Sequence, residues 1–503
     1  MAIGGGRGTR RQVLTVLTVA AGSFGSIRAA ESLWPSITEG SGQRTFVLTP
    51  EMFGASPDQA DHSDSFEAMA QRIEPGAVCR LSGEYRLSRM IQISGKSGFS
   101  IVGPGSVSML ARTPVEWGYG MLRFAECENF RLEDLVFDAN RMAREPREVS
   151  AHTLHFQSSK RFACKRVETR NSVCDGFFLD STDPADFDTH CSDADFLDCL
   201  SVNSYRQGCS VIQGHRLRFL GGEYSGSIGT APQAGIDLES DSSDPRGALS
   251  DIHFERVRFS GNVGFGLKVA PIARPASITA RDCSFDANAA GAISWGAVSG
   301  AIIRPTISRF GPEAERGAID FPVGDGFRTD EPIEVAAPVF TDIATDSPQA
   351  TLVYVHSQAH APVAISNLRA GPCAGIVGLH RDNSSLVNSV IEATLGTVDG
   401  AIGVAGNDCQ VAGNSVAGFF GSLVVVTGDR AAIVGNEFRN ARRNDERGAI
   451  RILGDDALVT DNVVATRAGV TAIRLEGRIG EVKNNRVSGF AQMISRTGQR
   501  SSK

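Results

Sequence analysis

A glycine followed by a short run with apolar residues at alternate positions recurs through the middle of this chain. The clearest copies begin at Gly176, Gly208, Gly235, Gly266 and Gly291, at separations of 32, 27, 31 and 25 residues. Alternation with a period of two predicts β-strands with one buried face. Self-similarity at this spacing is typical of a solenoid. We therefore predict an all-β fold, a single-stranded right-handed parallel β-helix whose strands stack about 4.8 Å apart.

The pattern divides the chain into regions of different regularity. Residues 1–30 have the composition of a signal peptide and 31–48 that of a linker, and the β-helix is predicted over 49–503. A short amphipathic helix with Ser63 or Asp64 at its N-cap follows the start of the β-helix. Weaker alternation predicts an insertion or irregular coil at 311–350, and regular C-terminal repeats return at 400–495.

The first thirty residues resemble a twin-arginine export signal. Arg10 and Arg11 precede an apolar stretch, Val13 to Ala21, that is too short to span a bilayer, and small residues follow up to Ala29-Ala30. A Sec signal that contains two arginines by chance is the alternative. This resemblance implies a bacterial protein that is periplasmic or secreted. No later apolar run is long enough to span a membrane, so we expect no membrane span.

Composition and charge limit the classes of molecule that this chain is expected to bind. Glycine is 55 of 503 residues, more than usual, as many tight corners require. The net charge of −7 gives no support for nucleic-acid binding. Three of the ten cysteines, Cys164, Cys199 and Cys283, occupy similar places in their repeats, which predicts an inward column of thiols. One or two disulfides elsewhere stay open.

Near the N-terminus the chain resembles the pectate-lyase-like β-helix superfamily. The resemblance rests on three phrases, Gly54-Ala55-Ser56-Pro57-Asp58, Gly83-Glu84-Tyr85 and Ile101-Val102-Gly103-Pro104-Gly105, with the short helix between the first two. It implies an N-terminal capping helix and a solenoid. It does not identify a reaction, because this fold hosts lyases, hydrolases, epimerases and phage spikes.

Toward the C-terminus an asparagine recurs in one frame. Asn414, Asn436, Asn462 and Asn485 are 22, 26 and 23 residues apart. Stacked asparagines at a turn can adopt a left-handed conformation and hydrogen-bond along the stack, so we predict a structural ladder. Together with the leader, these repeats resemble those of a group of twin-arginine-exported β-helix repeat proteins.

Aligning the central strands on their glycines locates candidate chemistry. The first and third positions after each glycine are apolar and predicted to face the core, so the second and fourth face outward. Asp237 and Glu239 then share one outer strand face, about 7 Å apart. Lys268 lies one coil beyond Asp237, and Asp180 lies two coils back from Glu239. The corners that enter these strands carry Asp175, Arg206 and Gln207.

This outer patch admits two reactions on a polysaccharide. In a lyase, Asp180, Asp237 and Glu239 hold Ca²⁺ against a uronate, and Lys268 or Arg206 removes a proton. Asp175, Asp180 and Gln207 would bind substrate. In a hydrolase, Asp237 and Glu239 share the acid and base roles.

The lyase version is slightly favoured for this chain. It needs the metal or the substrate to offset carboxylates that otherwise keep Lys268 protonated. A non-catalytic glycan-binding or envelope protein is a third possibility. No cofactor other than Ca²⁺ is indicated, and the sugar, the linkage and the oligomeric state are left open.

Overall fold

The structure is a computed structural model in which thirteen segments are described. They all belong to the compact unit Gln43–Lys503. The segments are residues 45–114, 120–144, 151–239, 249–272, 277–297, 299–310, 317–324, 328–343, 351–373, 376–393, 400–418, 422–440 and 448–496. The leader predicted at 1–30 and the linker up to residue 44 lie outside them. No helix of these segments is both long enough and apolar enough to cross a membrane.

The N-terminal coils contain one α-helix, α1 (Ser63–Gln71), and two short 3₁₀ turns at Pro50–Phe53 and Arg141–Ala143. Their strands are β1 (Phe46–Leu48), β2 (Ala77–Arg80), β3 (Glu84–Leu87), β4 (Ile91–Ser94), β5 (Ser97–Val102), β6 (Ser106–Met109), β7 (Leu122–Ala125), β8 (Glu128–Asp138), β9 (Leu154–Gln157) and β10 (Lys160–Arg170).

The central coils include a third 3₁₀ turn at Phe187–Thr189. Their strands are β11 (Phe177–Asp180), β12 (Cys191–Leu197), β13 (Leu200–Val202), β14 (Cys209–Val211), β15 (Gly214–Leu220), β16 (Glu223–Ser225), β17 (Ile236–Leu238), β18 (Leu249–Glu255), β19 (Arg258–Ser260), β20 (Phe265–Ile272), β21 (Ile278–Arg281), β22 (Ser284–Asp286), β23 (Gly291–Ala297), β24 (Ala301–Ile303), β25 (Thr306–Ser308), β26 (Ile319–Phe321), β27 (Ile333–Ala336) and β28 (Val339–Thr341).

The C-terminal coils are built from strands alone within the described segments. These are β29 (Thr351–Val355), β30 (Val363–Ser366), β31 (Arg369–Cys373), β32 (Ile376–Leu379), β33 (Ser385–Val387), β34 (Val390–Ala393), β35 (Ile402–Val404), β36 (Gln410–Ala412), β37 (Ser415–Gly418), β38 (Val424–Val426), β39 (Ala432–Val434), β40 (Glu437–Asn440), β41 (Ile450–Ile452), β42 (Ala457–Thr460), β43 (Val463–Leu475), β44 (Ile479–Lys483) and β45 (Arg486–Arg496).

Every pairing between these strands is parallel, and the strands form three ladders that wind as a right-handed β-helix, as predicted. Face A is β1, β2, β5, β8, β10, β12, β15, β18, β21, β24, β27, β30, β33, β36, β39, β42 and β44. Face B is β3, β6, β8, β10, β13, β16, β19, β22, β25, β28, β31, β34, β37, β40, β43 and β45. Face C is β4, β7, β9, β11, β14, β17, β20, β23, β26, β29, β32, β35, β38, β41, β43 and β45.

The inward positions follow the predicted alignment. Phe177, Cys209, Ile236 and Leu267 are register partners on face C and are fully buried. Aromatic rings also stack along the solenoid interior, with centroids 5.1 Å apart for Phe99 and Phe130. Each coil therefore buries its apolar residues against the coils before and after it, which is how a solenoid of this length is stabilised.

The recurring glycines are required by close approach between coils. A Cβ on Gly176 would lie 2.5 Å from the carbonyl oxygen of Gly208, and one on Gly208 would lie 2.5 Å from that of Gly235. Neither glycine has a left-handed φ. Each recurring glycine therefore lies where the backbone of one coil packs directly against the backbone of the next.

Many corners are instead made by non-glycine residues in the left-handed region. One column of such residues joins face A to face B and includes Asp134 (φ 59°), Arg166 (φ 50°) and Asp282 (φ 53°). In this column Arg166 donates to Asp134 on the preceding coil, with Nε and Oδ1 2.6 Å apart. Stacked ion pairs thus accompany a backbone conformation that costs roughly 1–2 kcal/mol per residue.

Helix α1 lies where the capping helix was predicted and buries Phe66 and Met69. The ring of Phe66 packs edge-on against Tyr85, with centroids 5.2 Å apart. The N-cap differs from the prediction, because His62 occupies it and Ser63 is the first helical residue. Residues 46–48, which were assigned to the linker, form β1 because they pair with β2.

The described part of 311–350 differs from the predicted insertion or irregular coil. Strands β26, β27 and β28 each continue one of the three ladders. The ordinary coil therefore passes through this region, and the Pro, Glu and Asp residues that weaken its alternation do not interrupt the pairing.

The predicted thiol column needs correction. Cys164, Cys199 and Cys283 are all buried and free. Cys164, however, pairs with Leu132 and Phe196 on face A. Cys199 and Cys283 lie just before β13 and β22, at the corner that leads into face B. The nine cysteines whose side chains are described are buried and free, and no disulfide joins them.

The asparagine ladder is confirmed. Asn414 donates through Nδ2 to Oδ1 of Asn436 at 2.9 Å, and the same bond links Asn436 to Asn462 and Asn462 to Asn485. The left-handed conformation falls on the preceding residue in each coil, for example Gly413 (φ 66°). The asparagine side chain is thereby left free to bond along the stack.

Candidate functional site

The candidate residues lie on the outer surface of face C. Ser210, Asp237, Lys268, Ser294 and Asp320 are register partners on successive strands, from β14 to β26. Their side chains point away from the core because the flanking positions hold the inward residues. The predicted register of Asp237 next to Lys268 is therefore confirmed.

Asp237 faces outward but is closed to solvent, which the sequence did not predict. Its side chain is 0% exposed, whereas that of Lys268 is 30% exposed. Oδ2 accepts from Gln207 Nε2 at 2.7 Å and from Lys268 Nζ at 3.5 Å. Oδ1 is buried and has no hydrogen-bond partner among the described residues. Burial raises the pKa of Asp237 to about 6, against the opposing attraction of Lys268.

Asp175 and Arg206 form an ion pair on neighbouring coils, in which the Asp175 side chain is fully buried and that of Arg206 is 28% exposed. Arg206 donates through Nε to Oδ1 and through its terminal nitrogen to Oδ2, both at 2.9 Å. Burial alone would raise the pKa of Asp175, but the Arg206 guanidinium and the hydrogen bonds outweigh it and lower that pKa to about 2. Burial opposes the charge on Arg206 too, yet Asp175 raises the pKa of Arg206. Both groups are therefore held in their charged forms.

Two residues connect this pair to Asp237. Ser210 Oγ lies 3.0 Å from Asp175 Oδ2 and 2.5 Å from Gln207 Oε1, and it donates its proton to one of them. The amide of Gln207 then donates to Asp237. We call Asp175, Arg206, Gln207, Ser210, Asp237 and Lys268 the buried polar network. Asp175, Arg206 and Gln207 lie at the corners where the alignment predicted them. The stacking of coils brings their side chains into contact.

His152 adjoins the network and was missed by sequence reasoning. Its Nδ1 lies 3.1 Å from Asp175 Oδ2, and its ring stacks on Phe178 at a centroid distance of 3.6 Å. Burial lowers the pKa of His152, so the imidazole is neutral. The residue precedes β9, whose coil lacks the glycine phrase, and therefore no alignment placed it beside Asp175.

Glu239 and Asp180 lie at the edges of this patch. Glu239 follows β17 directly and is exposed. Asp180 Oδ1 instead contacts His155 Nε2 at 2.8 Å, on the coil toward the N-terminus. The structure thus brings Asp237 and Glu239 to one strand end and orients Asp180 toward a different partner.

The trio Asp180, Asp237 and Glu239 is not gathered as a metal site. Among the described residues, one group of three or more metal-binding side chains has its ligand atoms within 4.8 Å of one another, namely His152, Cys174 and Asp175. Its carboxylate already accepts from Arg206. The donor set of that group therefore fits a metal poorly, and Ca²⁺ at the predicted trio stays a prediction.

The loop that enters β17 lies beside the network. Thr230 N donates to the carbonyl of Tyr205 at 2.9 Å, and Gly229 is so close to the Tyr205 ring that a Cβ there would collide with it. Ile228 on this loop is 47% exposed. This corner is therefore a packed wall next to Arg206.

No protein-family model matches this sequence, and no curated protein matches it. Solved structures with a similar chain path include the N-terminal fragment of bacteriophage phi29 gene product 12, which is 11% identical with a TM-score of 0.48 and aligns over 88% of this chain and 93% of that one. The tailspike of E. coli bacteriophage HK620, solved as a double mutant with a pentasaccharide, is 10% identical with a TM-score of 0.46 over 76% and 80%.

An alginate lyase from Paenibacillus is 12% identical, with a TM-score of 0.38 over 66% of this chain and 96% of its own. At these identities and TM-scores the similarity is one of chain path alone.

Proposed function

We propose that this chain hydrolyses a glycosidic bond of a polysaccharide at face C, with Asp237 as general acid and Glu239 as general base. The observation that carries the proposal is the contrast between these two carboxyl groups of one strand end. Asp237 is buried, its pKa is raised to about 6, and its Oδ1 has no partner among the described residues. Glu239 is exposed. Two carboxyl groups whose environments differ in this way are suited to acid and base roles.

An inverting reaction is the proposed stereochemical course. Residues two apart on a strand have backbones about 7 Å apart, and a similar separation of their carboxyl groups would lie within the roughly 6.5–9.5 Å that leaves room for a water. Glu239 would take a proton from that water as its oxygen attacks the anomeric carbon. Asp237 would give its proton to the departing glycosidic oxygen. The products are two chains, one of which has a new reducing end.

Access to Asp237 requires movement of Lys268. Asp237 is closed in this structure, and Lys268, a long and partly exposed side chain, contacts its Oδ2. Displacement of the ammonium by a sugar ring would open the Asp237 carboxyl group to the leaving oxygen. It would also remove the attraction that favours the charged carboxylate, so the acid form would be further stabilised.

Metal-assisted β-elimination is the second candidate, favoured by the partly exposed ammonium of Lys268 on this wall. In that reaction Lys268 would remove the proton, and Ca²⁺ or the substrate would have to offset the neighbouring carboxylates, which otherwise keep Lys268 protonated. Arg206 suits the base role less well, because it is bonded to Asp175 through two nitrogens and its pKa is raised. A glycan-binding protein without catalysis is the remaining alternative.

A product assay separates these functions. Purified protein is incubated with polygalacturonate, alginate and dextran, with and without EDTA, and both reducing ends and ultraviolet absorbance of unsaturated products are measured. Hydrolysis predicts reducing ends without absorbance, insensitive to EDTA. Asp237→Asn should lower the rate at least about 100-fold, whereas Asp134→Asn, a surface aspartate paired with Arg166, should leave it unchanged. Unchanged cleavage in both Asp237→Asn and Glu239→Gln would refute the site.

A further inference from the structure

The outer surface of face C continues past the candidate site to an aromatic residue and two glycines. Asp320, Tyr354, Gly378, Gly403 and Val425 are register partners on β26, β29, β32, β35 and β38. Tyr354 is four ladder steps from Asp237, or about 19 Å. It is half-buried and lies on the same outward column as the buried polar network.

The glycine at 378 allows the Tyr354 ring to lie over the strand. A Cβ at Gly378 would be 3.2 Å from Tyr354 Cδ2 and 3.4 Å from His380 Nε2. The two rings are 5.0 Å apart at their centroids. Because no side chain stands between them and the backbone, both rings are held against the sheet. Burial lowers the pKa of His380, so its imidazole is neutral and can both donate and accept a hydrogen bond.

Gly403, one coil farther, leaves an open notch beside these rings. A Cβ built there would meet no atom within 4 Å. Val425 follows it on the next coil, so the notch spans two ladder steps, about 10 Å, from Gly378 to Val425. Its floor is backbone, one wall is aromatic and the other is aliphatic. Flat apolar rings edged by a few polar groups are the lining that suits a sugar ring.

We propose that Tyr354, His380 and Gly403 form a sugar-binding subsite for the same polysaccharide, which would run along the solenoid axis from Lys268 toward Val425. This inference rests on the proposed function for the choice of ligand. The occupant is a polysaccharide segment because the notch continues the outward column of the candidate site. A single sugar unit could not span the about 19 Å between the two places, so the subsite selects for long chains.

Affinity electrophoresis tests the subsite independently of cleavage. Asp237→Asn protein, which should cleave too slowly to degrade the gel, is run through gels that contain polygalacturonate, alginate or dextran. At least one polymer should retard it. Adding Tyr354→Ala or Gly403→Val should weaken the apparent affinity for that polymer by about threefold to tenfold, the effect of one aromatic contact. Gly403→Val fills the notch. The backbone of Gly403 has no left-handed φ, so a valine fits there without backbone strain.

A matched control adds the same kind of bulk elsewhere. Ala412 points outward on β36 of face A, so Ala412→Val should leave retardation unchanged. Thermal unfolding of each variant verifies folding. Equal retardation of the Tyr354 and Gly403 variants and their parent, or no retardation by any of the three polymers, overturns the proposal.

The two proposals fail separately. If retardation depends on Tyr354 but the wild-type protein makes no new ends, the subsite stands and hydrolysis is wrong. If the wild-type protein cleaves the polymer but the substitutions at Tyr354 and Gly403 do not change retardation, hydrolysis stands and the subsite is wrong.

Discussion

At the residue scale, the outer wall of face C carries Asp237, a charged group that is closed to solvent. An outward side chain on a solenoid wall usually faces water. The sequence predicted the outward direction of Asp237 and Lys268 from alternation alone, and the register confirms it. It could not predict the burial of Asp237. That burial comes from contacts with Gln207 and Lys268, which depend on how side chains on three successive coils pack together. His152 reaches Asp175 in the same way.

The raised pKa of Asp237 has a consequence for stability. In the unfolded chain this carboxyl titrates near its ordinary pKa of 3.8, and in the folded protein near 6. Between these values the folded state binds the extra proton, so stability falls as pH rises from about 4 to 6. Asp237→Asn should remove this loss, which is on the order of 2–3 kcal/mol. Thermal unfolding midpoints of both proteins across this range measure it, and parallel curves would contradict the assignment.

The Asp175–Arg206 pair should be far more sensitive to substitution than a surface pair. Asp175→Asn leaves Arg206 largely buried without its counter-charge, which typically costs about 3–5 kcal/mol. Asp134→Asn breaks a pair whose side chains are 45% and 46% exposed, and should cost less than about 1 kcal/mol. Denaturant unfolding compares the two. Equal losses would mean that the Asp175 pair is no more than a surface contact.

At the element scale, the predictable features are those with a strict period. The regular spacing of the four asparagines predicted their ladder, and the recurring glycines predicted the strands that follow them. The left-handed corners that carry arginine were not predictable, because arginine does not mark such a conformation in sequence. Aspartate is enriched in that conformation, but it is also common elsewhere, so it did not locate the corners. Their pairing across coils, as between Arg304 and Asp282, becomes visible only once the register is known.

The asparagine ladder should be a main source of order in the C-terminal coils. Asn436 accepts from the backbone N–H and from Nδ2 of Asn414, and it donates to Val411 O and Asn462 Oδ1. Asn436→Ala leaves several of these buried groups unpaired and should cost roughly 3 kcal/mol.

Asn407 provides the matched comparison. Its side chain accepts one bond, from Asp429 N, at a half-buried position. Asn407→Ala should therefore cost only about 1 kcal/mol. Thermal unfolding of both variants, with hydrogen exchange to localise the effect, gives the comparison. A larger loss for Asn407→Ala would contradict a structural role for the ladder.

At the scale of the whole molecule, each coil contacts only its neighbours, so stability should vary along the axis. The side chains of β45, the last strand described, are mostly exposed or half-buried. Coils in the middle instead bury stacked rings such as Phe219 and Phe254, with centroids 4.9 Å apart. Such nearest-neighbour architectures open from their ends.

Native-state hydrogen exchange measures this gradient. Amides of β45 and then β43 should exchange first, and those of β15 and β18 last. Uniform exchange along the axis would instead indicate a single cooperative unit.

In the proposed reaction the buried Asp237 on the outer wall of face C acts, in its protonated form, as the acid in glycan cleavage. The most direct test is the pH dependence of kcat/KM for a polysaccharide that the protein cleaves. Cleavage should fall as pH rises through about 6, because the acid form of Asp237 is lost. This falling limb should be absent from the residual activity of Asp237→Asn. An unchanged profile and rate in Asp237→Asn would contradict the role of Asp237 as the acid.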